Sequence, residues 1–591
     1  MDQHLVGNGA RSVPNAVSRL HLESTLPVVT PSSGWPAQTC TMKGNDMVAD
    51  RWITDWEPSQ RFPLYTRANA GEVLPDPCSP LAWTVVWEPG VVQGWADSQI
   101  ECGTMNRDEF AMDPPEVVGM FGGYLYINGS MARLFGARGP GLTPEMIDLV
   151  YFGAHPDVTP YQAELWHDSP SNTAKLAEWM GGVMTNVDLP ELIVDQTKAT
   201  AVRNGRPDLD KLTDQQLVER MRSFIPFIRE LFCHHLSMTA GTSIGMGVIG
   251  AVAAAMGDPT VALKLITGVG DIDSAAPSHA LWELSRLPEN SPEFAAGFHR
   301  FLNDFGSRGP NEWDIRSDTW ETKPALAMAL IEVMRPAVDS ESPALRNAKN
   351  VEQREAVTAA IRSALGNQPE TLASFDAGLH SAHLYLSGRE RAKTNIIKVI
   401  HEVRVSAREL ASRHDYTPSQ ICMLLADELD AFVSGPDEFR ARLAAREQQY
   451  LELFDLEPPF IVNGAVKPLG EWPHRGSARA AASVVGDVLQ GVPGSPGKAV
   501  GRARVVLDPA DPFALEPGDV LIAPITDPAW TPLFVPACAV VVNVGAQVSH
   551  AVIVSRELGI PCVVSVQNAT ERIPDGAMIE VDGNTGTVTL L

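Results

Sequence analysis

The sequence predicts an α+β multidomain protein: a mixed N-terminal region, a large and mostly helical body, and a C-terminal α/β domain. Three observations predict it. Residues 215–236, 350–365, 389–413 and 436–454 carry apolar side chains at helical spacing with charged ones between them. Beyond residue 490, short valine-rich runs recur with turn residues separating them. Between these textures, residues 463–490 hold Pro, Gly, Ser and Ala with no sustained apolar pattern, which reads as a linker.

In order along the chain, residues 1–45 are rich in Pro, Ser, Thr and Val without periodicity and read as an N-terminal arm. The body is expected over 46–462. Its first part, 46–170, mixes Trp, Pro and Gly with apolar runs such as 81–87, and short strands and irregular segments are expected there. Its second part, 171–462, is expected to be mainly helical. In 491–591, strands are expected at 503–507, 519–523, 539–544, 561–566, 578–581 and 587–591. The last two flank Asp582-Gly583-Asn584-Thr585-Gly586, a hairpin signal. A helix fits over 549–558, ended by Gly559 and then Pro561.

Composition excludes several functions. Of 591 residues, 44% are hydrophobic and 20% charged, so the chain can build cores. Acidic residues outnumber basic ones by 72 to 46, a net charge of -26, which disfavours nucleic acid and anionic membranes as partners. The 7 cysteines are scattered, with no pair at CxxC spacing, which speaks against a disulfide framework or zinc site and for a reducing compartment. The most apolar stretch, 244–256, is too short to span a bilayer, and no secretory signal pattern opens the chain. A cytoplasmic protein is expected.

Several motifs fail on context. Gly241-Thr242-Ser243-Ile244-Gly245 matches a nucleophile elbow, but the preceding residues read as helix where that motif needs a strand. Close helix packing through small residues is expected instead. The segment 491–498 lacks the first Gly and the hydroxyl of a P-loop, so no nucleotide site is recognised. His234 and His235 are adjacent, face different directions on a helix, and read as packing or surface residues. Asn128-Gly129-Ser130 fits a glycosylation acceptor without meaning in the cytoplasm.

The informative segment is 541–564, VVNVGAQVSHAVIVSRELGIPCVV. It reads as a buried strand, a turn and a helix beginning at Ser549-His550. A helix N-terminus carries free N–H groups and partial positive charge, which favours a neutral, nucleophilic imidazole. Once phosphorylated, the same histidine places negative charge where the helix end stabilises it. A lone Ser-His pair would read as a helix cap. The surrounding pattern decides otherwise.

Gly545, Ser549, His550, Ala551, Ile553, Val554, Arg556, Glu557, Leu558, Gly559, Ile560 and Pro561 resemble the phosphohistidine signature of the phosphoenolpyruvate-utilising, dikinase-like superfamily. Gly494-Ser495-Pro496-Gly497 and the stretch from Thr526 to Phe534 resemble the same mobile domain. Ala546 and Val548 depart from the pattern, in place of a glycine and a threonine. The body resembles that superfamily's acceptor-substrate domain, as in rifampicin phosphotransferases. The matching pieces are 65–73 with Ser79-Pro80-Leu81, then 123–128, then Phe305-Gly306-Ser307-Arg308-Gly309 leading to Glu312 and Asp314, and Arg389-Glu390-Arg391. Ser307 stands where relatives often carry histidine.

The resemblance implies a large substrate-binding body followed by a swivelling phosphohistidine domain with His550 as the catalytic carrier. Gly545, Ser549 and Arg556 would support the phosphohistidine. Arg67, Asn69, Glu72, Arg308, Glu312, Asp314, Arg389, Glu390 and Arg391 would bind substrate or phosphate. Guanidinium groups suit phosphate, and Glu72, Glu312 and Asp314 are candidate bases for a hydroxyl. A structural ion-pair network is the alternative for each. With no ATP-grasp or phosphoenolpyruvate domain recognised, the layout resembles the histidine-carrying subunit of two-subunit aryl phosphate synthases. That implies an ATP-grasp partner subunit, which would bind ATP and Mg²⁺, and a phenolic substrate such as 4-cresol or phenol. No metal site is expected in this chain. An antibiotic or another small alcohol as acceptor, or a non-catalytic phosphorelay role, are the alternatives.

Overall fold

Long amphipathic helices are stable only when their apolar faces are covered, and the body is built on two that cover each other. The structure, a computed structural model, describes residues 53–591 except 153–156, 259, 271–272, 274, 339–341, 476, 478–479, 508–513, 527–529 and 546–548. The expected arm at 1–45 and the departures Ala546 and Val548 lie outside the described residues.

In chain order, β1 (Leu64–Thr66) precedes a π-helical segment, Ala82–Val92, that runs directly into α1 (Gln93–Glu101). β2 (Val118–Phe121) and β3 (Tyr124–Asn128) follow. The helical body is dominated by α2 (Ile225–Ala255), α3 (Pro343–Ala364) and the 45-residue α4 (Pro369–Arg413). β4 (Ile461–Asn463) ends it. A four-stranded sheet in the order β2-β3-β1-β4 ties the two ends of the body together, with Tyr65 opposite both Asn128 and Val462.

The run 81–87, expected among strands, is helical and buried. A run apolar on every side carries no periodicity to distinguish strand from helix. Here it lies against α2, where a Cβ on Gly90 would sit 2.9 Å from Ile228 Cγ2 and one on Gly94 would sit 2.4 Å from the Arg229 carbonyl. The expected single helix over 215–236 is split at Phe224, between Asp214–Ser223 and α2, where Pro226 occupies the first turn of the new helix.

α2 and α4 pack through the small residues of the failed elbow motif. A Cβ on Gly241 would lie 2.3 Å from the Tyr385 ring, and one on Gly245 would lie 2.4 Å from the Ala382 nitrogen. The helical stretch Asp214–Ala255 is long and apolar enough by composition to cross a membrane. Its buried residues Ile228, Leu231 and Phe232 belong to the same core cluster as Ile396, Ile400 and Val403 of α4.

The C-terminal domain is an eight-stranded sheet. Its strands are β5 (Val488–Gln490), β6 (Val492–Ser495), β7 (Lys498–Val505), β8 (Val520–Ala523), β9 (Ala539–Val542), β10 (Cys562–Val564), β11 (Met578–Asp582) and β12 (Thr587–Leu590). The order is β5-β12-β11-β7-β8-β9-β10-β6, with β7 to β10 parallel. Asn463 and Val488–Gln490, read as linker, are strand residues instead. Both runs are too short for a period-two pattern to stand out. The helix α5 (His550–Leu558) makes the crossover from β9 to β10 and ends in a left-handed Gly559. The hairpin joins β11 and β12, with Asp582 opposite Thr587.

α5 also covers the body. Ile553 shares a core cluster with Ile361, Leu365 and Leu379, and Val535 shares another with Leu281 and Trp282.

Gly245→Ala should destabilise the protein by about 1–3 kcal/mol in chemical denaturation. Alanine is the better helix former by about 1 kcal/mol, so a stabilised variant would show that the α2–α4 contact is looser than described.

Candidate functional site

α5 is nine residues long, and His550 is its first. Strand β9 delivers the chain to that point and the left-handed Gly559 stops the helix, so the imidazole is set by the β–α–β geometry. His550 is buried, at 9% exposure. Its Nδ1 lies 3.2 Å from Thr526 Oγ1 and its Nε2 lies 3.2 Å from Thr531 Oγ1. A neutral imidazole has one N–H and one lone pair, and a hydroxyl can serve either.

Burial holds the His550 pKa well below the ordinary imidazole value, and Lys393, Arg308 and Arg389 of the body lower it further. These cations bring the body to the histidine. Arg308 and Lys393 share one carboxylate: Arg308 Nε is 2.7 Å from Glu312 Oε2, and Lys393 Nζ is 3.4 Å from Glu312 Oε1. Arg308 Nη1 also donates to Thr394 Oγ1 at 3.3 Å. The segment holding Arg308 and Glu312 is pinned through its carbonyls, by Trp320 N on the Arg308 carbonyl at 2.9 Å and by the Arg404 side chain, Nη2 on the Glu312 carbonyl at 2.6 Å. Arg389, Glu390 and Lys393 project from α4 within one turn, with Arg389 Nε 3.9 Å from Glu390 Oε1.

The other expected site residues lie differently. Arg67 is buried and donates to the carbonyls of Leu125, Leu74 and Pro75, with its guanidinium over the Tyr124 and Tyr126 rings. It braces the N-terminal sheet. Asn69, at φ 58, turns the chain into the short helix Ala70–Val73 that carries Glu72. Just before Glu72 in that helix, Gly71 lies between Arg67 and Ile525 of the C-terminal domain. Asp314 is wholly buried and accepts from Ser79 N, Ser79 Oγ and Arg316 N. Arg391 Nε is 3.7 Å from Asp273, whose carboxyl is pushed up by burial.

In the C-terminal domain, Gly545 is packed so that a Cβ would meet Val564, Ser549 Oγ and Val542. Ser549 is the N-cap, yet its Oγ makes no capping bond. Arg556 donates from Nε to the Gly494 carbonyl at 2.9 Å, and burial lowers its pKa to about 10. That holds β6 against α5 at the end of the helix away from His550.

Sequence reasoning missed Thr526 and Thr531 as partners of His550, and missed Lys393, one helical turn beyond Arg389 on the same face. It also set His235 aside. The structure puts His235 of α2 beside Phe232 and Trp313, ring centroids 5.7 and 6.2 Å away. Burial, then Arg389 and Lys393, push its pKa down to about 3, and its Nδ1 has no hydrogen-bond partner. The same two cations therefore act on both imidazoles. No local signal marks His235, because only the α2–α4 pairing brings it there.

Among the described residues, no three His, Cys, Asp or Glu side chains converge as metal ligands.

With that geometry, comparisons define the class. Residues 515–586 match the mobile domain of PEP-utilising enzymes, and residues 284–390 match the fourth domain of rifampicin phosphotransferases. These two segments are thus similar to parts of PEP-utilising enzymes and of rifampicin phosphotransferases. An uncharacterised Mycobacterium tuberculosis protein, Rv2047c, is 27% identical over 565 residues, covering 89% of this chain and 61% of its own. The rifampicin phosphotransferase of Streptomyces sviceus is 29% identical over 339 residues, 56% of this chain and 37% of its own. The prodigiosin synthesizing transferase PigC of Serratia marcescens is 29% identical, over 51% of this chain and 34% of its own. The chain thus spans less than two thirds of the length of these relatives.

The lowered imidazole pKa values have a stability consequence. Unfolded histidines take up protons near pH 6.5, whereas His550 and His235 stay neutral when folded. Below that pH the unfolded state binds more protons, so stability falls as pH drops, and above it neither group contributes to the slope. Each contributes up to about 1.4 kcal/mol per pH unit. His550→Gln and His235→Gln should each flatten the fall in stability between about pH 6.5 and 5 in urea titrations. An unchanged slope would mean the imidazole is protonated in the folded protein.

Proposed function

We propose that this chain is the phosphoryl-carrying subunit of an ATP-dependent phosphotransferase, acting in the cytoplasm. In this reading His550 receives a phosphoryl group from ATP through a separate ATP-grasp partner subunit, and the C-terminal domain presents it to a phenolic hydroxyl, 4-cresol or phenol, on the body. The observation that carries the reading is His550 at a helix N-terminus, buried between Thr526 and Thr531, with its pKa held well below the ordinary value by burial and then by Lys393, Arg308 and Arg389 of the body.

Enzymes of this class use ATP and Mg²⁺, and on the partner these supply the phosphoryl group and neutralise its oxygens. The residues of this chain do the rest. A neutral imidazole nitrogen attacks the transferred phosphorus, a P–N bond forms as the P–O bond to the rest of the nucleotide breaks, and the buried setting keeps water from competing. In the second half-reaction the P–N bond breaks and a P–O bond forms to the acceptor. The hydroxyl proton passes to a base, and His550 recovers its lone pair. Arg308, Arg389 and Lys393 offset the charge on the phosphoryl oxygens. Of the three proposed bases, Glu312 stands closest in role, since it is bound to two of these cations, while Asp314 is held by Ser79 and Arg316.

The match of 284–390 to a rifampicin phosphotransferase domain favours a second reading, in which the acceptor is an antibiotic or other small alcohol.

The test combines the chain with its candidate ATP-grasp partner, Mg²⁺ and labelled ATP, and looks for acid-labile, base-stable label. His550→Ala should abolish the label. Phenol or 4-cresol should discharge it from wild type, and Glu312→Gln should slow that discharge about a hundredfold while charging persists. Discharge by rifampicin and not by phenol would replace the acceptor. Label that survives in His550→Ala would end the carrier assignment.

A further inference from the structure

We propose that Asn350 is a positioning residue: it caps the C-terminal end of α5 from the body and thereby holds His550 against Arg308, Arg389 and Lys393. The last carbonyls of any helix lack partners within it. In α5, Gly559 N and Ile560 N return to the carbonyls of Arg556 and Ser555 at 3.1 and 2.9 Å. The Glu557 carbonyl is reached from another domain. Asn350 Nδ2 donates to it at 3.0 Å and to the Arg556 carbonyl at 2.8 Å, so one amide group uses both its hydrogens on the end of α5.

The surroundings fit a docking contact. Asn350 is buried, at 7% exposure, in the middle of α3, where asparagine is a poor helix former. The neighbouring buried polar residue of α3, Thr358, bonds back to its own helix at Arg354, as such residues usually do. Asn350 instead reaches across. Gly559 is shaped to admit it: its φ is 65°, and a Cβ there would lie 2.9 Å from Asn350 Oδ1. Beside it, Ile553 enters the body's core with Ile361 and Leu365, and the Glu557 carboxyl is buried with its pKa raised to about 7 by desolvation. Arg346 adds a longer contact, 3.5 Å from Nη1 to the Val535 carbonyl.

α5 is nine residues long, with His550 at one end and the Asn350 contact at the other. An α-helix of that length is stiff, so gripping its C-terminus fixes where its N-terminus points. When the domain leaves, water can satisfy the same carbonyls, so the contact favours one arrangement without locking it. Its meaning for catalysis rests on the proposed carrier role of His550, whereas the docking itself does not.

The test uses the full chain with one dye on the body and one on the C-terminal domain, read by single-molecule energy transfer. Asn350→Asp keeps the shape but turns an acceptor toward two carbonyls, and Asn350→Leu removes the donor. Each should lower the docked population about tenfold or more. With the ATP-grasp partner, each should slow discharge of labelled His550 by a similar factor and leave its charging unchanged. An unchanged energy-transfer distribution in both variants overturns the proposal. So does a parallel loss of charging and discharge, or loss of the helical circular dichroism signal, since Asn350 would then serve the body's fold and not docking. If phenol fails to discharge wild type, the acceptor is wrong and the energy-transfer result still decides the latch.

Discussion

The site depends on one buried carboxylate. Glu312 is 1% exposed and lies between Arg308 and Lys393, which are themselves mostly shielded from water. A cation out of water is costly unless it is paired, and removing one partner of a buried pair costs about 3–5 kcal/mol. Glu312 therefore permits positive charge to be stored beside His550 before any phosphate arrives. Burial, with Lys393, Arg308 and Arg389 adding to it, holds the His550 pKa well below the ordinary value, and burial with Arg389 and Lys393 pushes His235 down to about 3.

That arrangement needs rigid supports, and α4 supplies most of them. It carries Arg389, Glu390 and Lys393 at one level, and Arg404 farther along reaches back to the carbonyls of Glu312 and Asp314. Its pairing with α2 is set by Gly241 and Gly245, whose missing side chains let the two backbones approach. The residues that resemble an active-site serine motif are thus spacers. The same pairing places His235 and Trp313 behind the cations. Asp314, through Ser79, joins this loop to the N-terminal region.

The C-terminal domain was legible in the sequence because its signals are local. Valine-rich runs, a left-handed Gly559 and the Asp582–Gly586 turn each act over a few residues, so β8 to β12 and α5 fall close to expectation, whereas β7 begins earlier, at Lys498, and β5 and β6 lie outside the expected strands. The body was legible as helix but not as a site. The π-helical segment Ala82–Val92 has no periodic pattern to read, since nearly all of it is buried. Thr526 and Thr531 are ordinary residues until β8 and the turn after it set them on either side of an imidazole.

By itself the sequence determined the helical body, the terminal α/β domain and the position of His550 at a helix start, because these follow from periodicity, turn chemistry and capping within short stretches. Only the tertiary structure decided which charges meet that histidine. Arg67 and Arg308 look alike in sequence, yet one donates to backbone carbonyls and the other pairs with Glu312 and adds to the lowering of the His550 pKa. Residues far apart in the chain became neighbours through the α2–α4 packing and the docking of α5 on α3, and the energy of a charge is fixed by such neighbours and by burial, which no local pattern encodes.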